Sequence, residues 1–168
     1  MHLNAMTIVV GVILCSAAPE SGPPVTKAAV TADVLAIAAD LRRAIEERDA
    51  PGILKYMGPQ GAVCADTVVH AEEVREKLAD RSSWIHAYLF DEEAWKRFAS
   101  VFDQVNASGF FRRAKGITVD VRYGVALPAA DSACFTYRST DLGAGPEFCV
   151  RRARDGKWYF LRPPGYCA

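Results

Sequence analysis

The hydrophobic pattern of this chain changes period once, near Gly116. Upstream, apolar residues recur three and four positions apart. Downstream they alternate with polar ones, and these two spacings belong to helices and strands respectively. A chain ordered this way places its helices first and its strands last. Helices segregated from a run of antiparallel strands give an α+β fold, with N-terminal helices packed on a curved antiparallel sheet of about four to five strands.

The upstream half opens with a helix capped at Thr31, whose Val34, Ile37, Ala38, Leu41, Ala44 and Ile45 share one face while Asp40, Arg43, Glu47 and Arg48 take the other. Asp49-Ala50-Pro51-Gly52 breaks it and starts a short second helix over residues 53–57. Residues 62–69 read as one strand and 71–79 as a charged helix. The apolar stretch 84–90 has no clear period. Asp91 caps a further helix carrying Trp95, Phe98, Phe102 and Val105 on one stripe, and residues 110–115 fit a short helix.

After Gly116, Ile117, Val119, Val121, Tyr123, Val125 and Leu127 alternate with polar or small residues, and Gly124 marks a bend. Strands over 132–139, 147–154 and 157–162 follow, the last two joined by the turn pair Asp155-Gly156.

With 51% hydrophobic and 24% charged residues among 168, the chain has the apolar content for a core, which excludes global disorder. Its charges are unevenly spread. Residues 1–105 carry 10 Lys/Arg against 15 Asp/Glu, and residues 106–168 carry 10 against 5. No dense basic run interleaved with aromatics occurs, so a nucleic-acid partner is not expected.

The uncharged apolar run from Thr7 to Leu14, followed by Cys15-Ser16-Ala17-Ala18, has the order of a secretory signal, too short for a membrane span. Residues 1–17 are expected to be removed, 18–29 to form a tether, and 30–168 to fold as a single domain. The expected location is secreted or periplasmic, with no stable membrane span in the mature chain. Lipidation at Cys15 is the lesser alternative, because Leu14 stands where a small residue normally precedes such a cysteine.

The remaining cysteines are Cys64, Cys134, Cys149 and Cys167. An even number in an exported chain points to disulfides, and their spacing offers no C-x-x-C, so neither a metal nor a cofactor is expected. If Thr140-Asp141-Leu142-Gly143 is a hairpin loop closed by Ser139 and Ala144, then Phe135 faces Phe148 and Cys134 faces Cys149. Directly opposed β-carbons lie about 4.5–5.5 Å apart, within reach of a bridge. Cys64 is then left for Cys167.

This order of elements, with the Leu41–Met57 helical pattern and its break at Asp49, and with Asp155-Gly156-Lys157-Trp158 in the last hairpin, resembles the nuclear transport factor two-like superfamily. That group of cone-shaped α+β domains includes polyketide-cyclase-like and ketosteroid-isomerase-like proteins. Sheets wrapped on one helix in the cystatin manner are the nearest rival. Enzymes of the resembled group place Asp, His or Tyr inside the cone for proton transfer, and other members only bind or scaffold.

The residues that such chemistry would use here are His86, in the apolar stretch, with Asp120 or Asp66 as an inward carboxylate of raised pKa. A hydrogen-bonded histidine and solvent-facing carboxylates account for all three without catalysis. His70 reads as an exposed helix-start residue. The tryptophans read as core. Arg138, Arg151, Arg152 and Arg154 gather on the last strands as a solvated face or as a surface for an anion or partner. Asn106-Ala107-Ser108 matches a glycosylation sequon. The expected role is non-catalytic binding of a small apolar ligand or a protein partner. An isomerase- or cyclase-like enzyme and a structural or inhibitory interaction domain are the alternatives.

Overall fold

The computed structural model describes residues 27–64, 66–102, 105–123 and 132–164. The expected signal and lipidation segment, the bend at Gly124 and Cys167 lie outside them. Six helices and six strands follow in the order α1 Lys27–Glu46, α2 Ala50–Leu54, β1 Ala62–Cys64, β2 Thr67–Val69, α3 Ala71–Ala79, α4 Trp84–Phe90, α5 Glu92–Phe102, α6 Ala107–Arg113, β3 Thr118–Tyr123, β4 Ser132–Ser139, β5 Gly143–Arg152 and β6 Trp158–Phe160. The last four form one antiparallel sheet in chain order, β3-β4-β5-β6, and the helices pack against it. The α+β expectation holds.

Several boundaries differ from the sequence reading. Helix α1 is already formed at Lys27, so Thr31 lies inside it and does not cap it. Ala28 and Ala29 are strong helix formers that carry the helix past Thr31. The freed Thr31 hydroxyl hydrogen-bonds the Tyr123 phenol on β3. Helix α2 starts earlier than expected because Pro51 sits in its first turn, where the missing N–H has no partner to lose. Residues 62–69 form two strands, with Ala62 opposite Val69 and Cys64 opposite Thr67. The turn between them includes Asp66, a residue type that favours turns. The stretch without clear period is helix α4, capped by Ser83, whose hydroxyl accepts from the His86 amide at 3.1 Å. Val105 follows the end of α5 and is exposed, off the stripe that buries Trp95.

Helix α6 begins at the sequon. Asn106 is its N-cap: its side-chain oxygen accepts from the Gly109 amide at 2.8 Å, while its Nδ2 donates to the Ala87 carbonyl at 2.9 Å. The residue is wholly buried, so the nitrogen that a glycan would need is already engaged inside the protein.

The β4–β5 hairpin fixes which residues face inward. Cys134 opposes Cys149 and Phe135 opposes Phe148, as the sequence arithmetic requires. The loop is one residue shorter than expected, because Ser139 pairs with Gly143. A bulge compensates, with Gly145 and Pro146 together opposing Tyr137. Ala133, Phe135, Tyr137, Phe148, Val150 and Phe160 thereby point to the core, against Val34, Ile37, Leu41 and Ile45 of α1. Cys134 and Cys149 are bonded on the opposite face of the sheet. Cys64 is also disulfide-bonded. Its expected pairing with Cys167 lies outside the described residues. Among the described residues, no helix is long and apolar enough to cross a membrane.

Candidate functional site

The space between the sheet and the helices packed on it is the first place to look for chemistry, and aromatic rings occupy it. Phe111 meets Tyr137 at 4.7 Å between ring centres, Tyr137 meets Phe135 at 5.8 Å, Phe135 meets Phe148 at 5.7 Å, and Phe148 continues to Phe160 at 6.2 Å. Most of these contacts are edge-on or tilted, the arrangement that ring quadrupoles favour. Tyr137 brings a hydroxyl into this interior, and that hydroxyl donates to the Ala38 carbonyl of α1 at 2.5 Å. Burial raises the Tyr137 pKa far above the ordinary phenol value, so it stays a neutral donor. It ties the sheet to α1.

The residues singled out for acid–base chemistry are not brought together. His86 is half-buried on α4, where its Nδ1 bonds the Leu78 carbonyl at 2.7 Å and its ring sits edge-on to Phe90. It accordingly ties the end of α3 to α4. Asp120 lies on the outer face of β3, accepting from Arg138 at 3.2 Å. Asp66 is exposed in the β1–β2 turn. His70 is exposed at the start of α3. None of the three carboxylate and imidazole candidates shares a hydrogen bond with another.

A second polar group, missed in the sequence, joins α1 to the loop after α2. Asp40 accepts from Lys55 at 2.6 Å, Arg43 at 2.7 Å and the Tyr56 hydroxyl at 3.0 Å. The Lys55 hydrogen bond is the main reason that the Asp40 carboxyl is held below its usual range. Burial, with Asp40 beside it, pushes the Tyr56 phenol up. Asp40 and Tyr56 are sixteen residues apart, a separation that no helical spacing announces.

The arginines divide. Arg138 is paired with Asp120, and Arg152 donates to the Gly156 carbonyl at 3.1 Å. Arg151 stands exposed on the outer sheet face opposite Ser132 and Tyr159, and Arg154 is exposed in the following turn. Among the described residues no ion pair joins either of these two to an acid. Beside them, Arg122 of β3 pairs with Glu147 of β5, which also accepts from Thr136 at 2.8 Å. Cys134, Cys149 and Glu147 present ligand-type atoms within 4.8 Å of one another. With the disulfide closed, the two sulfurs are bonded to each other.

On the helical side Trp84 stacks on Tyr88 at 5.5 Å, and Trp95 meets both edge-on. Burial pushes the Tyr88 phenol up to about 12. These rings join α4 to α5, so Trp84 and Trp95 serve packing.

No family model matches the chain, and no curated protein sequence matches it. Among solved structures it is similar to a protein of unknown function with a cystatin-like fold from Nostoc punctiforme, at 16% identity over 79% of this chain and 86% of that one, with a TM-score of 0.33. It is also similar to a ketosteroid isomerase-like protein from Erwinia carotovora atroseptica, at 15% identity over 78% of this chain and 90% of that one, with a TM-score of 0.32.

Proposed function

We propose that this protein is an exported, non-catalytic interaction domain that binds an acidic protein partner through the end of its sheet bearing Arg151 and Arg154. The observation that carries the reading is the filled interior: its rings pack on one another, and the Tyr137 hydroxyl is spent on the Ala38 carbonyl. A small apolar ligand would have to displace those rings. An isomerase-like reaction would need an acid and a base converging on one point. His86 and Asp120 instead serve Leu78 and Arg138.

Arg151 and Arg154 are exposed and form no ion pair among the described residues, which suits an acidic surface, and electrostatic attraction of this kind speeds encounter and fixes register. Export rests on the apolar leader expected to be removed after Ala17, and the formed Cys134–Cys149 bridge is consistent with an oxidising compartment. Crosslinking in that compartment tests the reading. An adduct formed by the native protein is expected to disappear in R151E/R154E and to persist in R138Q. Equal adducts in all three proteins would overturn it.

A further inference from the structure

The two edges of the main sheet are finished differently. On the β6 side the Phe160 amide donates to the Tyr56 carbonyl at 2.7 Å, and the Val63 amide of β1 donates to the Leu161 carbonyl at 3.1 Å. The chain itself closes that edge. On the other side β3 ends the sheet. Among the described residues, no backbone hydrogen bond from another element reaches Thr118–Arg122 on the side away from β4. Alternate residues of an antiparallel edge strand turn both amide and carbonyl outward, a template for one more strand. We propose that β3 pairs with β3 of a second copy of this chain, antiparallel about a two-fold axis at Val121, joining the two sheets edge to edge.

Charge selects both the occupant and the register. Val121 opposes Phe135 and Asp120 opposes Thr136, so Val119, Val121 and Tyr123 share the core-facing side of β3 while Thr118, Asp120 and Arg122 share the outer side. A two-fold axis at Val121 sets Asp120 of each copy opposite Arg122 of the other. An axis at Asp120 or at Arg122 would set like charges face to face. One at Val119 would leave both charges facing the uncharged Thr118 and Gly116. Opposite charges directly across a ladder stabilise it, and like charges destabilise it.

Both residues already have a partner within their own copy, Asp120 with Arg138 and Arg122 with Glu147. Across the axis these pairs join into one row of alternating sign: Arg138 and Asp120, then Arg122 and Glu147 of the second copy. An isolated exposed ion pair contributes little, and a network of several charges contributes more.

The apolar side of the strand agrees. Val119 and Val121 pack on the core yet are only partly buried. In this register Val121 meets its own copy and Val119 meets Tyr123 of the second copy, which covers the half-open row. The pairing uses the same strand on both copies, so it closes on itself and leaves no β3 edge for a third. A ladder of six residues buries less than the roughly 1,200 Å² at which stable interfaces begin, so the dimer is weak and reversible. The acidic partner proposed above uses Arg151 and Arg154, on and after β5, and leaves β3 free.

Sedimentation equilibrium of the full mature protein, disulfides intact, tests this from about 1 μM to about 1 mM, the range of weak association. Wild type should pass reversibly from monomer to dimer. Asp120→Arg and Arg122→Asp each oppose like charges twice across the axis, and each should weaken self-association by roughly tenfold or more. Mixed in equal amounts, the two variants should associate again, because every opposed pair is then a cation facing an anion. A folding defect in either variant would persist on mixing, so the recovery reads the interface alone. A monomer at every concentration, a dimer as strong in either single variant as in wild type, or no recovery in the mixture would overturn the proposal.

Discussion

Phe110 occupies the space that a side chain at Gly145 would need. Three of its ring carbons lie within 2.6 Å of where a β-carbon would stand. Gly145 belongs to the bulge of β5 that opposes Tyr137, and Phe110 descends on it from α6, so this contact, with that of Phe111 on Tyr137, seats the last helix on the sheet. Gly145→Ala should therefore destabilise the fold by about 1–3 kcal/mol, the usual cost of overpacking a filled core. Urea denaturation checks the figure. The penalty should shrink in a Phe110→Leu background, since the two positions share one volume.

Tyr137→Phe removes the hydroxyl that donates to Ala38. The expected loss is about 0.5–1.5 kcal/mol, with the ring packing retained. A much larger loss in thermal denaturation would mean that the hydroxyl does more than bridge α1 to β4.

Non-reducing peptide mapping should recover Cys134 linked to Cys149, and Cys64 linked to Cys167. Removing the first bridge, which closes a separation of 15 residues, should cost up to about 3 kcal/mol. The second would close a much longer loop and should contribute up to about 4–5 kcal/mol. A peptide joining Cys64 to Cys134 or Cys149 would refute the arrangement.

Asp40 gives the pH dependence a definite sign. Its folded-state pKa is lowered by Lys55 and Tyr56, so the charged form is the one the fold favours. That contribution is complete above the ordinary carboxylate pKa of about 3.9 and is lost as pH falls through the lower folded value. Wild type should exceed Asp40→Asn in stability at neutral pH, and the difference should fade below about pH 4. Lys55 and Arg43 are exposed, so the difference is small and shrinks with salt. A difference that grew on acidification would contradict the assignment.

The order of elements was legible because period alone separates helix from strand, and β4 was read with its ends in place. The cysteine register was also right, but through two errors that cancel. The loop is a residue shorter than expected, and the Gly145–Pro146 bulge restores the count. A bulge of this kind has no period to reveal it. Helix α4 escaped because its apolar residues lie on more than one side: Trp84 and Tyr88 stack on each other against Trp95, while Phe90 meets His86. The candidate site fared less well. The sequence already allows a hydrogen-bonded His86 and a solvent-facing Asp120, and the fold supplies their partners, the Leu78 carbonyl and Arg138. The Asp40–Tyr56 pair and the Glu147–Cys134–Cys149 group depend on contacts between elements, which spacing along one element does not encode.

Native mass spectrometry of the protein recovered from its own compartment tests the filled interior most directly. The expected spectrum shows the mature chain without residues 1–17, with two disulfides and no small molecule retained, either alone or joined to another polypeptide. A stoichiometric apolar ligand released on unfolding would contradict a core in which Phe135, Tyr137 and Phe148 fill the space between the sheet and the helices.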